Sequence, residues 1–233
     1  MDYKYIKVVK EDYKFYLILS RPEKRNAFTP TMVNEIHHAF TVANEDDEVK
    51  VVLIKAEGPV FCAGMDLKTF ENADLDNLNP NIINQNISLG EVFDKLYKPS
   101  IALVEGNVIA GAFLIVLGCS YVFCKPEVQF RLPELALGIF PFQVMASLLK
   151  VMPEKKVLQL CLETEYFDSV KAKEFGIIDG FIDSKEINSL IESFRDVRTL
   201  ALIEGIKSLR KLQEVAKSDQ YTFLKDTLDK LRE

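Results

Sequence analysis

Tryptophan is missing from this 233-residue chain, and histidine occurs only as the neighbouring pair His37-His38. Both histidines fall on one early, helix-patterned segment away from the glycine-rich turns, which gives little support to a histidine-centred nucleophilic relay. Cysteine is sparse. Cys62, Cys119, Cys124 and Cys161 show neither zinc-ligand spacing nor a disulfide framework, so reduced thiols in an intracellular setting are expected. Positive charge is not in excess: 29 Lys and Arg face 35 Asp and Glu, for a net charge of -6. That balance argues against a nucleic-acid partner. Long apolar runs are lacking too. The stretch "VIAGAFLIVLGC" is too short and too rich in Gly and Ala to span a bilayer, and "MDYKYIKVVKEDYK" carries no signal-peptide core. The expectation is a cytoplasmic protein with no membrane partner and no metal site.

What the chain does have is core-forming material: 48% hydrophobic residues against 27% charged. That suits one large domain, or one with an appended helical piece. "YIKVVKEDYKFYLILSRP" reads as two strands with Glu11-Asp12 at the turn. Thr29 before Pro30 signals a helix start, followed by a stripe of Met32, Val33, Ile36, Phe40 and either Val42 or Ala43. "KVVLIKAE" and "SIALVEG" read as buried strands, and "AGAFLIVLGC" as a buried helix despite its strand-like composition. The Asn-rich segment 71–89 reads as a flexible loop leading into the helix "SLGEVFDKLY". "YVFCKPEVQFRL" reads as strand, turn, strand, and "SVKAKEFG" as a helix capped by Ser169 and stopped by Gly176. From about residue 185 the pattern is helical throughout. Alternating strands and helices imply an α/β fold with mostly parallel pairing.

Two Gly/Ala-rich turns follow buried strands, "FCAGMD" and "EGNVIAGAF". Each can present a backbone N–H, and two converging N–H groups are what an oxyanion hole needs. For either turn alone, a tight strand-to-helix connection is the better reading.

Together with their surroundings the turns carry a resemblance. "RPEKRNAF", "FCAGMDL", "KPSIALVEGNVIAGAF" and "FRLPELALGIFP" stand in the order and spacing of the enoyl-CoA hydratase/isomerase, or crotonase, superfamily, over roughly residues 5 to 182. The resemblance implies a spiral of ββα units over residues 1–182 and a helical oligomerising region over 183–233, assembled as a homotrimer or a dimer of trimers. It implies a coenzyme A thioester as substrate, with no separate cofactor. It places the oxyanion N–H groups on Met65 and Gly111. Arg25, Asn26, Ala27, Ala63, Gly64, Asp66, Leu67 and Lys68 become neighbours of the substrate and its nucleotide.

For acid–base work the family's hydratases commonly use two glutamates. One is present as Glu134; the other position holds Leu114. Adding water across a conjugated thioester calls for a held water, which two carboxylates can orient. Moving a double bond needs one base to take a proton from C2 and return it at C4. The pattern therefore resembles the Δ3,Δ2-enoyl-CoA isomerases, with hydration or another crotonase reaction as the alternative and a non-catalytic acyl-CoA binder as a third. Two departures stand out: Ala110 and Ala112 flank Gly111 where glycine is frequent, and Ser120 replaces a usual aspartate.

Overall fold

The structure, a computed structural model, describes residues 2–232. Ile6–Glu11 (β1) and Lys14–Leu19 (β2) pair antiparallel, with Ile6 opposite Leu19. Asp12 turns between them at φ 56°, a left-handed conformation that a short polar side chain tolerates. Phe15, Leu17 and Leu19 alternate into the core, as the period of a strand requires.

Helix α1 spans Pro30–Glu45, and its start is as expected. Thr29 Oγ1 accepts from Met32 N at 3.1 Å, a cap whose loss typically costs about 1 kcal/mol. Ala43 closes the buried stripe and Val42 faces solvent. Next come β3 (Val51–Ala56), β4 (Val60–Cys62), α2 (Leu67–Glu71) and α3 (Leu89–Asp94). They are followed by β5 (Ser100–Val104), β6 (Asn107–Ile109) and α4 (Phe113–Gly118), then β7 (Tyr121–Cys124) and β8 (Gln129–Arg131). Helices α5 (Phe142–Leu148) and α6 (Glu154–Leu162) precede β9 (Phe167–Asp168), α7 (Ser169–Glu174) and β10 (Gly180–Phe181).

Three times, a strand of one sheet is followed by a strand of a second sheet and then by a helix. The larger sheet runs β1-β2-β3-β5-β7-β10 and the smaller β4-β6-β8-β9. All pairings from β2 to β10 in the larger sheet are parallel, as are β4-β6 and β6-β8. The expected α/β spiral of ββα units is therefore present. The small-sheet strands β4, β6 and β8 are three residues long and β9 only two, too short for a periodic signal. Their buried middle residues are Phe61, Val108 and Phe130, and β4 buries Cys62 as well.

Two local expectations need correction. The segment read as a flexible loop is pinned to the core. Asp76 Oδ2 accepts from Thr31 N, and Asn79 Nδ2 donates to the buried Glu35 carboxylate at 2.7 Å. Asn77 N donates to the Tyr5 hydroxyl and Gln85 N to Asn34 Oδ1. Its polar side chains serve as anchors. The cap of α7 is Asp168, whose Oδ1 accepts from Lys171 N at 2.9 Å, while Ser169 Oγ donates to Pro126 O. Gly176 stops that helix at φ 72°.

The C-terminal helices are α8 (Ser184–Glu192), α9 (Thr199–Lys211) and α10 (Gln220–Arg232). Helix α8 buries Ile187 and Ile191 against Val51, Leu53, Ile101 and Phe123, covering the outer face of the larger sheet. Helix α10 packs on α9 and buries none of its own residues.

Candidate active site

Residues 25–28 run alongside 63–66. Ala63 N donates to Arg25 O at 3.0 Å, Phe28 N to Gly64 O at 2.8 Å and Asp66 N to Phe28 O at 2.9 Å. Phe28 and Met65 are thus bridge partners. In such a parallel bridge, Phe28 bonds to the residues on either side of Met65, so the Met65 N–H faces the opposite edge. Gly64 makes the turn at φ 86°, and a methyl there would stand 2.7 Å from Ala110 Cβ and 3.1 Å from Gly111 N. Only glycine combines that φ with that approach.

The second turn meets the first at this point. Ala110–Ala112 forms a 3₁₀ turn leading into α4. The Gly111 N–H therefore lies in the first turn of a helical run, where amides lack intrahelical acceptors. The point where a Gly111 Cβ would stand lies 3.8 Å from Met65 N and 2.9 Å from the Phe28 ring. The two amides that the sequence singled out are brought to one place. Ala110 adopts φ 54° where glycine would be unstrained. For alanine that left-handed conformation costs about 1–2 kcal/mol.

Glu134 opens a 3₁₀ turn after Pro133 and is 7% exposed. Its Oε2 is buried without a hydrogen-bond partner among the described residues, and burial raises the carboxyl's pKa above the ordinary 4.5. Its charge is felt by the Cys161 thiol on α6. Helix α5, which follows the Glu134 turn, packs on both α4 and the 3₁₀ turn of Gly111. Leu114 is 2% exposed and turned toward α3, where a methyl on Gly90 would touch its Cδ2 at 3.6 Å.

The remaining predicted residues divide by exposure. Arg25, Leu67 and Lys68 are exposed, while Ala27 and Ala63 are half-buried. Asn26, expected beside the nucleotide, braces the segment from inside. It is fully buried, its Oδ1 accepts from Arg21 N, and its Nδ2 donates to Glu57 O and Val60 O. Asp66 is likewise committed within the protein, by an ion pair to Arg21 at 2.8 Å. Cys62 donates to Asn26 O, and burial pushes its thiol up to about 12, so it packs and does not attack. Both acids of α3 are engaged elsewhere: Glu91 completes the Ser88 capping box, and Asp94 pairs with Lys150 at 2.8 Å. Ser120, in place of an aspartate, exchanges bonds with Ser100 across β5 and β7.

Sequence reasoning missed Arg21 and Phe28. Arginine is rarely buried unless paired, so nothing in "SRPEKRN" marked Arg21 as interior. A cavity of about 990 Å³ opens at the other end of α4, between Leu117, Ser120 and Arg210, away from the paired amides. Among the described residues no cluster of three or more His, Cys, Asp or Glu side chains could hold a metal.

A two-sheet ββα spiral closing on two glycine-containing turns is the crotonase fold. Enoyl-CoA hydratase from Mycobacterium smegmatis superposes with a TM-score of 0.82 at 20% identity, covering 97% of this chain and 90% of that one. An enoyl-CoA hydratase/isomerase from Marinobacter aquaeolei gives 0.81 at 23% identity, over 98% and 90%. Residues 15–221 match the enoyl-CoA hydratase/isomerase family, and the chain belongs to it. Among curated relatives, hydroxycinnamoyl-CoA hydratase-lyase of Pseudomonas fluorescens is 28% identical over 196 residues, 81% of this chain and 70% of that protein. The peroxisomal fatty acid beta-oxidation multifunctional protein of rice is 26% identical over 206 residues, 83% of this chain but only 28% of that protein. The mouse protein named enoyl-CoA hydratase domain-containing protein 3, mitochondrial, is 24% identical over 216 residues, 93% of this chain and 69% of that protein.

Proposed function

We propose that this chain processes an enoyl-CoA thioester with one general base, Glu134, and the Met65 and Gly111 amides as the oxyanion hole. The observation that supports it is the buried, unpartnered Oε2 of a carboxyl whose pKa is raised by desolvation. A carboxylate in a dry setting is a stronger base, which is what abstraction of a carbon-bound proton needs. In this reading the base breaks the C2–H bond of a 3-enoyl-CoA. The electron pair passes into the thioester carbonyl, the two amides hold the resulting dienolate oxygen, and the same proton returns at C4. Leu114 keeps a second acid out of the path. Arg25, Ala27, Ala63 and Lys68 are proposed to meet the nucleotide end, and assembly is proposed as a trimer or a pair of trimers.

Hydration is the second reading, and the relatives' names speak for it more than for isomerisation. A Dictyostelium discoideum relative, 27% identical over 171 residues, is named a probable enoyl-CoA hydratase, and a Thermus thermophilus relative a putative one. A cytoplasmic location rests on the sequence alone, while relatives carry mitochondrial and peroxisomal names. The deciding experiment supplies purified protein with 3-enoyl-CoA and crotonyl-CoA side by side. Conversion of the first to 2-enoyl-CoA, abolished in Glu134→Gln, supports isomerisation. Water addition to the second, with Leu114 intact, moves the assignment to hydration. Thioester binding without either turnover makes the chain a binder.

A further inference from the structure

The strongest unassigned feature is a buried cation beside the Met65 turn. Arg21 is 6% exposed, and its Nη1 donates both to Ala27 O and to Asp66 Oδ2, each at 2.8 Å. Those two acceptors lie on opposite sides of the Phe28–Met65 bridge, one residue from each partner. The guanidinium carbon sits 5.1 Å from the Tyr5 ring centroid, so the group is stacked as well as paired. Its backbone is held too, because Arg21 N donates to Asn26 Oδ1 at 2.8 Å. One terminal nitrogen thus ties together the two segments whose registration sets where the Met65 N–H points. A lysine ammonium could donate to both acceptors from its one nitrogen but has no planar face to lay over Tyr5.

We infer that Arg21 is a positioning residue of the oxyanion hole: through Ala27 and Asp66 it holds the Met65 amide in register with Gly111. The inference rests on the proposed thioester chemistry. Loss of Arg21 removes no side chain proposed to touch the acyl-CoA and frees the first turn to slide along the 25–28 segment. Its effect falls on stabilisation of the developing oxyanion and not on substrate affinity. Misplacing a reacting group by about 1 Å can cost about 100-fold in rate.

The test compares wild type, Arg21→Lys, Arg21→Met and the charge-free pair Arg21→Met/Asp66→Leu, each checked for fold by circular dichroism and melting. The double variant removes both charges, so it stays informative if the single Arg21→Met does not fold. Steady-state kinetics are read with whichever enoyl-CoA turns over, and the thioester C=O stretch of a bound, slowly reacting enoyl-CoA is read by difference infrared spectroscopy. The expected result is kcat lower by about 10- to 100-fold with KM within about three-fold. The bound carbonyl stretch should shift back toward its value in water, and Arg21→Lys should recover part of both effects. A folded variant that keeps wild-type kcat and the wild-type carbonyl shift overturns the inference, as does a loss confined to KM. If wild type itself binds thioester without shifting the carbonyl, the oxyanion-hole reading fails instead, and Arg21 falls with it.

Discussion

The Met65–Gly111 region and the Glu134 segment serve one candidate site but are built by opposite means. The first is backbone held by polar side chains: Asn26, Arg21 and Asp66 all bond inward and brace the turn that carries the Met65 amide. The second is one carboxyl on a 3₁₀ turn, with Leu135, Leu137 and Ile139 beside it exposed. A backbone amide has no side chain to tune, so its strength as a donor depends on being held in place. A carboxylate gains basicity by being left without partners in a dry place. The braced region should therefore fail through geometry, and the Glu134 segment through chemistry.

The sharpest way to break this contrast is to alter each half by a few atoms. Glu134→Gln should lower kcat by at least about 100- to 10,000-fold, the range of general acid–base contributions, with the melting temperature unchanged or higher. Loss of fold in that variant would mean that the carboxyl is structural. Gly64→Ala should reduce activity by about 100-fold or more and destabilise the protein by about 2–3 kcal/mol. It forces a methyl into φ 86° and within 2.7 Å of Ala110 Cβ. A stable, active Gly64→Ala protein would show that the turns do not meet as described.

A pH study separates the halves further. The folded pKa of Glu134 lies above its ordinary 4.5, so ionising it costs stability. The stability linked to this group is present below 4.5 and is lost as pH rises through the raised value. Melting curves across that window should decline in wild type and less in Glu134→Gln. The acidic limb of kcat/KM, meanwhile, should rise at a pH above 4.5. A limb at or below 4.5 would remove the dry-base account. The smallest expected effect is at Ala110→Gly, which relieves φ 54° and should stabilise the chain by about 0.5–1 kcal/mol by chemical denaturation. Destabilisation there would mean that the alanine methyl packs usefully against Gly64.

Much of the fold was legible in residues. The alternation of β2, the cap at Thr29 and the apolar block of α4 are local signals, and the structure contains each element. The two turns were legible only through the four motifs taken together, since either glycine turn alone reads as a tight connection. The three-residue strands β4, β6 and β8 were not, since each carries one or two core residues and exists because a neighbour pairs with it. Nor was the anchoring of the loop before α3, where the Asn79 side chain bonds to Glu35 and the Gln85 backbone N–H to Asn34, forty or more residues away.

The sequence by itself determined which atoms are available: one glutamate at 134, a leucine at 114, and glycines without a Cβ at 64 and 111. Those are matters of covalent identity and need no fold to be read. Only the tertiary structure decided that Asn26 and Asp66 face inward, that Arg21 joins them, and that Glu134 is dry. Burial and pairing belong to residues that meet across the chain, and no local pattern encodes a meeting between positions 21 and 66.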